Sequence, residues 1–213
     1  MNKKLIPFSL IGGLVGLFLG GCATGRGTLN VQVDVPVNPA QGKVVRISEV
    51  KDSRVFEIKP KKPSIPSLMN DDDYSNADIK ARAIARKRGG YGNALGDIVL
   101  PEGFTVRMLV NKIITRAFRE AGYSVVDNDS VPVENAIPVT IDIKQFWGWL
   151  NPGFTSATVE FIAELDVKGN IPGFEKGKAI TGKGKESSMA ASTKTWNAAM
   201  NYLIDDIIRN AKK

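Results

Sequence analysis

The sequence predicts an α+β domain: a two-layer sandwich of a mainly antiparallel sheet with two amphipathic helices packed on one face. Three stretches predict it. In Thr105–Val126, residues Val106, Leu109, Val110, Ile113, Ile114, Ala117, Phe118 and Ala121 fall at helical spacing, and a short β-branched strand, Tyr123–Val126, follows Gly122. Near the C-terminus, Trp196, Ala199, Met200, Leu203, Ile204, Ile207, Ile208 and Ala211 repeat that stripe. Between them, Ile137–Val167 alternates apolar and polar residues with period two, the mark of strands with one wet face. Apolar stripes on two helices and one side of a sheet are buried by packing against each other.

Residues 1–21 differ in kind from the rest. Lys3 and Lys4 precede an apolar run, Leu5–Leu19, which ends in Gly20, Gly21 and Cys22, the layout of a secretory signal. Leu19, Gly20, Gly21 and Cys22 resemble a bacterial lipobox, in which the cysteine thiol is acylated and becomes the first mature residue. An uncleaved transmembrane anchor is the competing reading, since Leu5–Ala23 is about long enough to span a bilayer. Pro7, five glycines and the small residues at the end favour processing. Ala23 stands where aspartate would signal inner-membrane retention, so the expected address is the periplasmic face of the outer membrane. Several acyl chains hold a protein far more firmly than one.

Composition excludes several chemistries. Cys22 is the only cysteine, so disulfides and cysteine catalysis are excluded once it is lipidated. The chain has no histidine, which removes imidazole metal sites and Ser-His or Cys-His nucleophiles. No cofactor or metal is expected beyond the covalent lipid. Losing residues 1–21, with two lysines and no acids, lowers the formal charge from +7 to +5 and leaves 192 residues, enough for one sizeable core. A basic protein outside the cytoplasm meets anionic headgroups or acidic proteins, so nucleic acid is not an expected partner.

Residues 22–42 read as a lipidated tether: Leu29, Val31, Val33, Val35 and Val37 alternate with polar residues until Pro36, Pro39 and Gly42 break the pattern. This is either an edge strand or an extended arm, and unfolded it would reach about 25 Å from the membrane. The domain proper is expected over 43–213. Val44–Val50 predicts its first strand, and Asp52-Ser53-Arg54 predicts a local turn or ion pair.

Residues 59–103 read as an irregular basic insertion. The run Asp71, Asp72, Asp73 does not make a calcium loop, because positions six and twelve would be Asn76 and Arg82. It precedes a helix predicted over Ala77–Arg88, capped by Ser75 or Asn76 and carrying Lys80, Arg82, Arg86, Lys87 and Arg88. That helix is either a solvated face or a docking surface for phosphate groups or an acidic partner. The glycine run from Gly89 to Gly96 lacks the ending of a phosphate loop.

In the long hairpin Ile137, Val139, Ile141, Ile143, Trp147 and Trp149 are placed on one face, Asn151-Pro152-Gly153 makes the turn, and Val159, Phe161, Ala163, Leu165 and Val167 return inward. Trp147 and Trp149 either cap the end of the core or form an exposed aromatic contact. Lys178–Met189 reads as a lysine-studded edge strand weakened by Gly182 and Gly184.

The order of signal, lipobox, tether, strand ending at Asp52-Ser53-Arg54, helix with Gly122-Tyr123-Ser124-Val125, hairpin and closing helix resembles the YajG-like envelope lipoproteins. The resemblance spans most of the chain and implies compartment and fold more than mechanism. The expected function is a noncatalytic binding or accessory module in the envelope, not an enzyme, with an envelope protein or anionic glycolipid as partner. The alternatives are an auxiliary lipoprotein of lipid transport or a cell-wall enzyme, which would need a carboxylate pair such as Glu160 and Glu164.

Overall fold

The computed structural model describes residues 25–89, 93–126 and 136–213. The signal and lipobox, with Leu19, Gly20, Gly21 and Cys22, lie outside the described residues. In chain order the elements are β1 (Gly27–Thr28), β2 (Val44–Asp52), α1 (Ala77–Arg82), β3 (Ala83–Arg88), β4 (Ala94–Val99), α2 (Val106–Glu120), β5 (Ser124–Val126), β6 (Ile137–Pro152), β7 (Ala157–Gly169), β8 (Lys178–Ser188) and α3 (Thr193–Ala211).

The strands form one mixed sheet, which corrects the expected fold class. Pairings β1–β4, β2–β5, β2–β6 and β3–β6 are parallel; β3–β4, β6–β7 and β7–β8 are antiparallel. Strand β6 is the spine. One edge of it pairs with β7 along the whole hairpin, while the other pairs with β2 over Ile137–Ile143 and then with β3 at Gly148 and Trp149. Alternation in a sequence shows which face a residue takes, not which strand lies beside it. Parallel neighbours also need a crossover, and the one between β2 and β6 runs through β3, β4, α2 and β5. The two-layer description fails as well, because residues 54–82 cover part of the second face of the sheet around Trp147.

The predicted helix over Ala77–Arg88 is likewise corrected. Asn76 caps it by accepting from the Ile79 amide at 3.1 Å, but it stops at Arg82, and Ala83 is extended at φ −65°, ψ 127°. Ala83, Ile84 and Ala85 are fully buried, with Ala83 in one apolar cluster and Ile84 in the other. Burial on both faces suits an interior strand, and a helix would have buried only one stripe.

The main core lies between the sheet and the two long helices. Thr105 and Ser192 cap α2 and α3 through their hydroxyls, and the predicted stripes are buried from Val106 to Phe118 and from Trp196 to Ala211. Trp196 meets Phe161 edge to face at 5.8 Å. The glycines of β8 serve close approach: a Cβ on Gly184 would stand 2.0 Å from the Ala199 carbonyl oxygen in α3.

The arm is docked from its first described residue. The Gly25 amide donates to the Leu95 carbonyl at 2.7 Å and that of Leu29 to Val99 at 2.9 Å. Leu29 and Val31 enter the main core. Further on, Arg119 donates to the Pro36 carbonyl at 2.7 Å, and the Asn38 side chain both accepts from and donates to the backbone of Val125. Apolar odd positions and polar even ones thus fix an extended segment against the helices.

Candidate functional site

The Asp52-Ser53-Arg54 turn sits where β6 changes neighbours. Ser53 donates its amide to Ile143, prolonging β2 by one residue, and then the chain leaves the sheet. Arg54 fills the fork. Its Nε and Nη2 grip the two Asp52 oxygens at 2.8 Å each, Nη1 donates to the carbonyls of Ala83 at 2.6 Å and Phe146 at 3.2 Å, and Nη2 also reaches Lys80 at 2.8 Å. All five guanidinium N–H groups are therefore committed inside the protein. The bidentate carboxylate explains why arginine stands here, since lysine offers no planar fork.

Phe56 stacks over this guanidinium at 5.3 Å and meets Trp147 edge to face at 5.8 Å. Beside them opens a cleft of about 410 Å³ lined by Asp52, Arg54, Phe56, Tyr74, Ala77, Lys80 and Ala81. The Tyr74 hydroxyl holds the wall by donating to Glu57 at 2.7 Å and accepting from the Leu68 amide at 2.9 Å. Lys80 contributes to this lining, and its carbonyl is the one that accepts from Arg54.

The five cations read from the sequence do not form one surface. Arg82 pairs with Asp78 at 2.6 Å and donates to the Leu100 carbonyl at 3.1 Å. Arg86 is only 5% exposed, with Nε 4.0 Å from an Asp97 oxygen and neither Nε nor Nη1 hydrogen-bonded. Lys87 donates to the Gly25 carbonyl at 3.3 Å. Arg88 is half-buried, and burial, reinforced by the charge of Arg86, lowers its pKa. Asp97 anchors the group: it accepts from the Met69 amide at 3.1 and 3.2 Å and lies 3.6 Å from Arg26, which also pairs with Asp73. Its pKa is raised because burial outweighs these stabilising contacts.

Trp147 and Trp149 are 0% and 8% exposed, so neither offers the aromatic contact surface considered from sequence. A bulge between Ile143 and Gln145 reverses the alternation. Ile143 and Phe146 face the main core, whereas both tryptophans join Leu68, Ala83 and Val99 in a second cluster on the opposite face. Phe154, in the turn that follows them, is exposed instead. Glu160 lies on the outward face of β7, 3.8 Å from Lys185.

A second concavity, of about 470 Å³, was not anticipated. It runs between the docked arm and the helices, lined by Asn30, Gln32 and Asp34 from the arm, Arg116 from α2, and Asn197, Asn201, Ile204 and Asp205 from α3. Arg116 pairs with Glu120 at 2.8 Å. Among the described residues, the four carboxamides and two carboxylates have no hydrogen-bond or ion-pair partner. The even-numbered polar residues of the arm were the only sequence signal for it, and it took the docked arm to bring them to the helices.

No family model matches the chain, and no curated protein matches it. A solved structure described as the crystal structure of an uncharacterized protein is similar over 89% of this chain and 94% of that one, at 9% identity and a TM-score of 0.35.

Proposed function

We propose that this chain is a noncatalytic binding module held at the periplasmic face of the outer membrane by lipid on Cys22. The observation that carries the reading is the run from Lys3 to Cys22, a basic start, an apolar stretch and a lipobox-like end. Among the described residues no helix is long and apolar enough to cross a membrane. The groove between arm and helices is the binding surface, because its carboxamides and carboxylates are preset on rigid elements and available to a ligand. Asp34 and Asp205 disfavour phosphate there, which makes an envelope protein a better partner than an anionic glycolipid. The test is mass analysis of the mature protein from cells, followed by photo-crosslinking from a probe at Asn201. An acylated N-terminal Cys22 and a discrete protein adduct are expected. An intact Met1 terminus would overturn the anchor, and adducts to glycolipid alone would overturn the partner.

A further inference from the structure

Cys22 is three residues from Gly25, and three residues span at most about 11 Å. The arm is fastened at Gly25 itself, by the hydrogen bond to Leu95, by the Lys87 ammonium on the Gly25 carbonyl, and by Gly96, where a Cβ would stand 1.9 Å from the Gly25 oxygen. A lipid on Cys22 would therefore hold the domain at the headgroups, not 25 Å above them, and the surface near Gly25 would be pressed against the membrane.

The sheet register shows what else lies at that end. Arg88 pairs with Ala94, Pro152 with Ala157, and Ala157 with Ser188, so the end of β3, the start of β4, the β6–β7 turn and the end of β8 all share the end of the sheet that carries Gly25. Six neighbouring strands, β1-β4-β3-β6-β7-β8, make this end about 24 Å wide at ordinary strand spacing. Two large apolar side chains stand out from it into solvent: Phe154, 106% exposed, and Met189, 92% exposed. Lys87 and, in the first turn of α3, Lys194 add positive charge there.

We infer that this end of the sheet rests on the phospholipid bilayer, with Phe154 and Met189 in its interfacial layer and the lysines among anionic headgroups. The inference rests on the lipid anchor proposed above. Apolar tips flanked by cations suit that layer, where apolar burial and attraction to anionic lipid reinforce each other.

The test uses the full mature chain, purified with its lipid and reconstituted into phosphatidylethanolamine–phosphatidylglycerol vesicles. Acylation occupies the Cys22 thiol, so a cysteine introduced as Phe154→Cys, Met189→Cys or Lys43→Cys is the sole site for an environment-sensitive fluorophore. Labels at 154 and 189 should shift to the blue and be quenched by spin-labelled lipid, while the label at 43, at the other end of the strands, should remain aqueous. Gly96→Ala should weaken the quenching at 154 by unfastening the arm. Phe154→Glu, at a position too exposed to affect folding, should reduce the shift at 189. An aqueous label at 154, or equal quenching at 43, in a chain whose mass shows an acylated Cys22 would overturn this orientation and leave the anchor standing. A mass without acyl chains would overturn the anchor itself.

Discussion

The two faces of β6 are built by different means. The face toward α2 and α3 is closed by apolar side chains at regular spacing, and its buried polar residues are two helical threonines, Thr115 and Thr195. The opposite face is closed by residues 54–82, which depend on Arg54, Tyr74 and Asp97 binding backbone groups, and it buries Arg54, Ser67, Arg86 and Asp97. Apolar burial is tolerant of small displacement because it depends on area. A polar closure is not, since each unmet donor or acceptor in a dry site costs about 1–3 kcal/mol. One face should therefore report global stability and the other local order.

Ile113→Asp should break the first face outright. Ile113 is fully buried in the α2 stripe, and an unpaired carboxylate there has no cation to meet. Loss of the cooperative thermal transition is expected, and a near-wild-type melting curve would refute the account of the core. Arg54→Ala comes next. It leaves Asp52 unpaired and the carbonyls of Ala83, Phe146 and Lys80 without donors, a loss of about 3–5 kcal/mol for breaking a buried pair. Hydrogen exchange should accelerate over 54–82 before it does in α2 or α3, and Arg54→Lys should not restore protection. Equal acceleration everywhere would mean that the two faces form one cooperative unit.

The same contrast explains what could be read from the sequence. Both long helices, the β6–β7 hairpin and the terminal position of β8 were legible because they follow local periodicity. Trp147 and Trp149 were assigned to the wrong face because one extra residue at the bulge reverses the alternation, and nothing local in Ile143-Lys144-Gln145 marks it. Ala83–Arg88 was misread because a run of alanines and cations fits a helix on propensity, while its burial from both sides is a tertiary fact. Asp52-Ser53-Arg54 was recognised as structural, but its partners at Lys80, Ala83 and Phe146 lie 26 to 92 residues away. Of the candidate site, the charges could be found in the sequence; their dispersal, and the groove beneath the arm, could not.

Gly184→Ala sharpens the comparison on the helical face. The added methyl meets backbone, the Ala199 carbonyl at 2.0 Å and the Leu203 nitrogen at 2.5 Å, so α3 must move as a body. Overpacking of this kind costs about 1–3 kcal/mol, read as a lower urea midpoint with an unchanged slope. Wild-type stability in this variant would show that α3 sits more loosely than the geometry implies.

Asp97→Asn is expected to have the smallest effect and the most diagnostic one, because it acts through pH. Burial raises the Asp97 pKa in the folded chain, against the Met69 amide and the charges of Arg86 and Arg26, with Asp73 adding to the rise. Between its ordinary value and that raised value, the folded chain binds more proton than the unfolded one, so stability falls as pH rises. The difference in urea midpoint between wild type and Asp97→Asn should therefore decline as pH climbs through this window and level off above it. Glu120, lowered by Lys212 and Arg116, and Asp142, lowered chiefly by Lys144, act with the opposite sign but are present in both chains and cancel. A difference that instead grew with pH would mean that pairing with Arg86 and Arg26 outweighs burial, and that the second face is closed by an ion cluster rather than in spite of one.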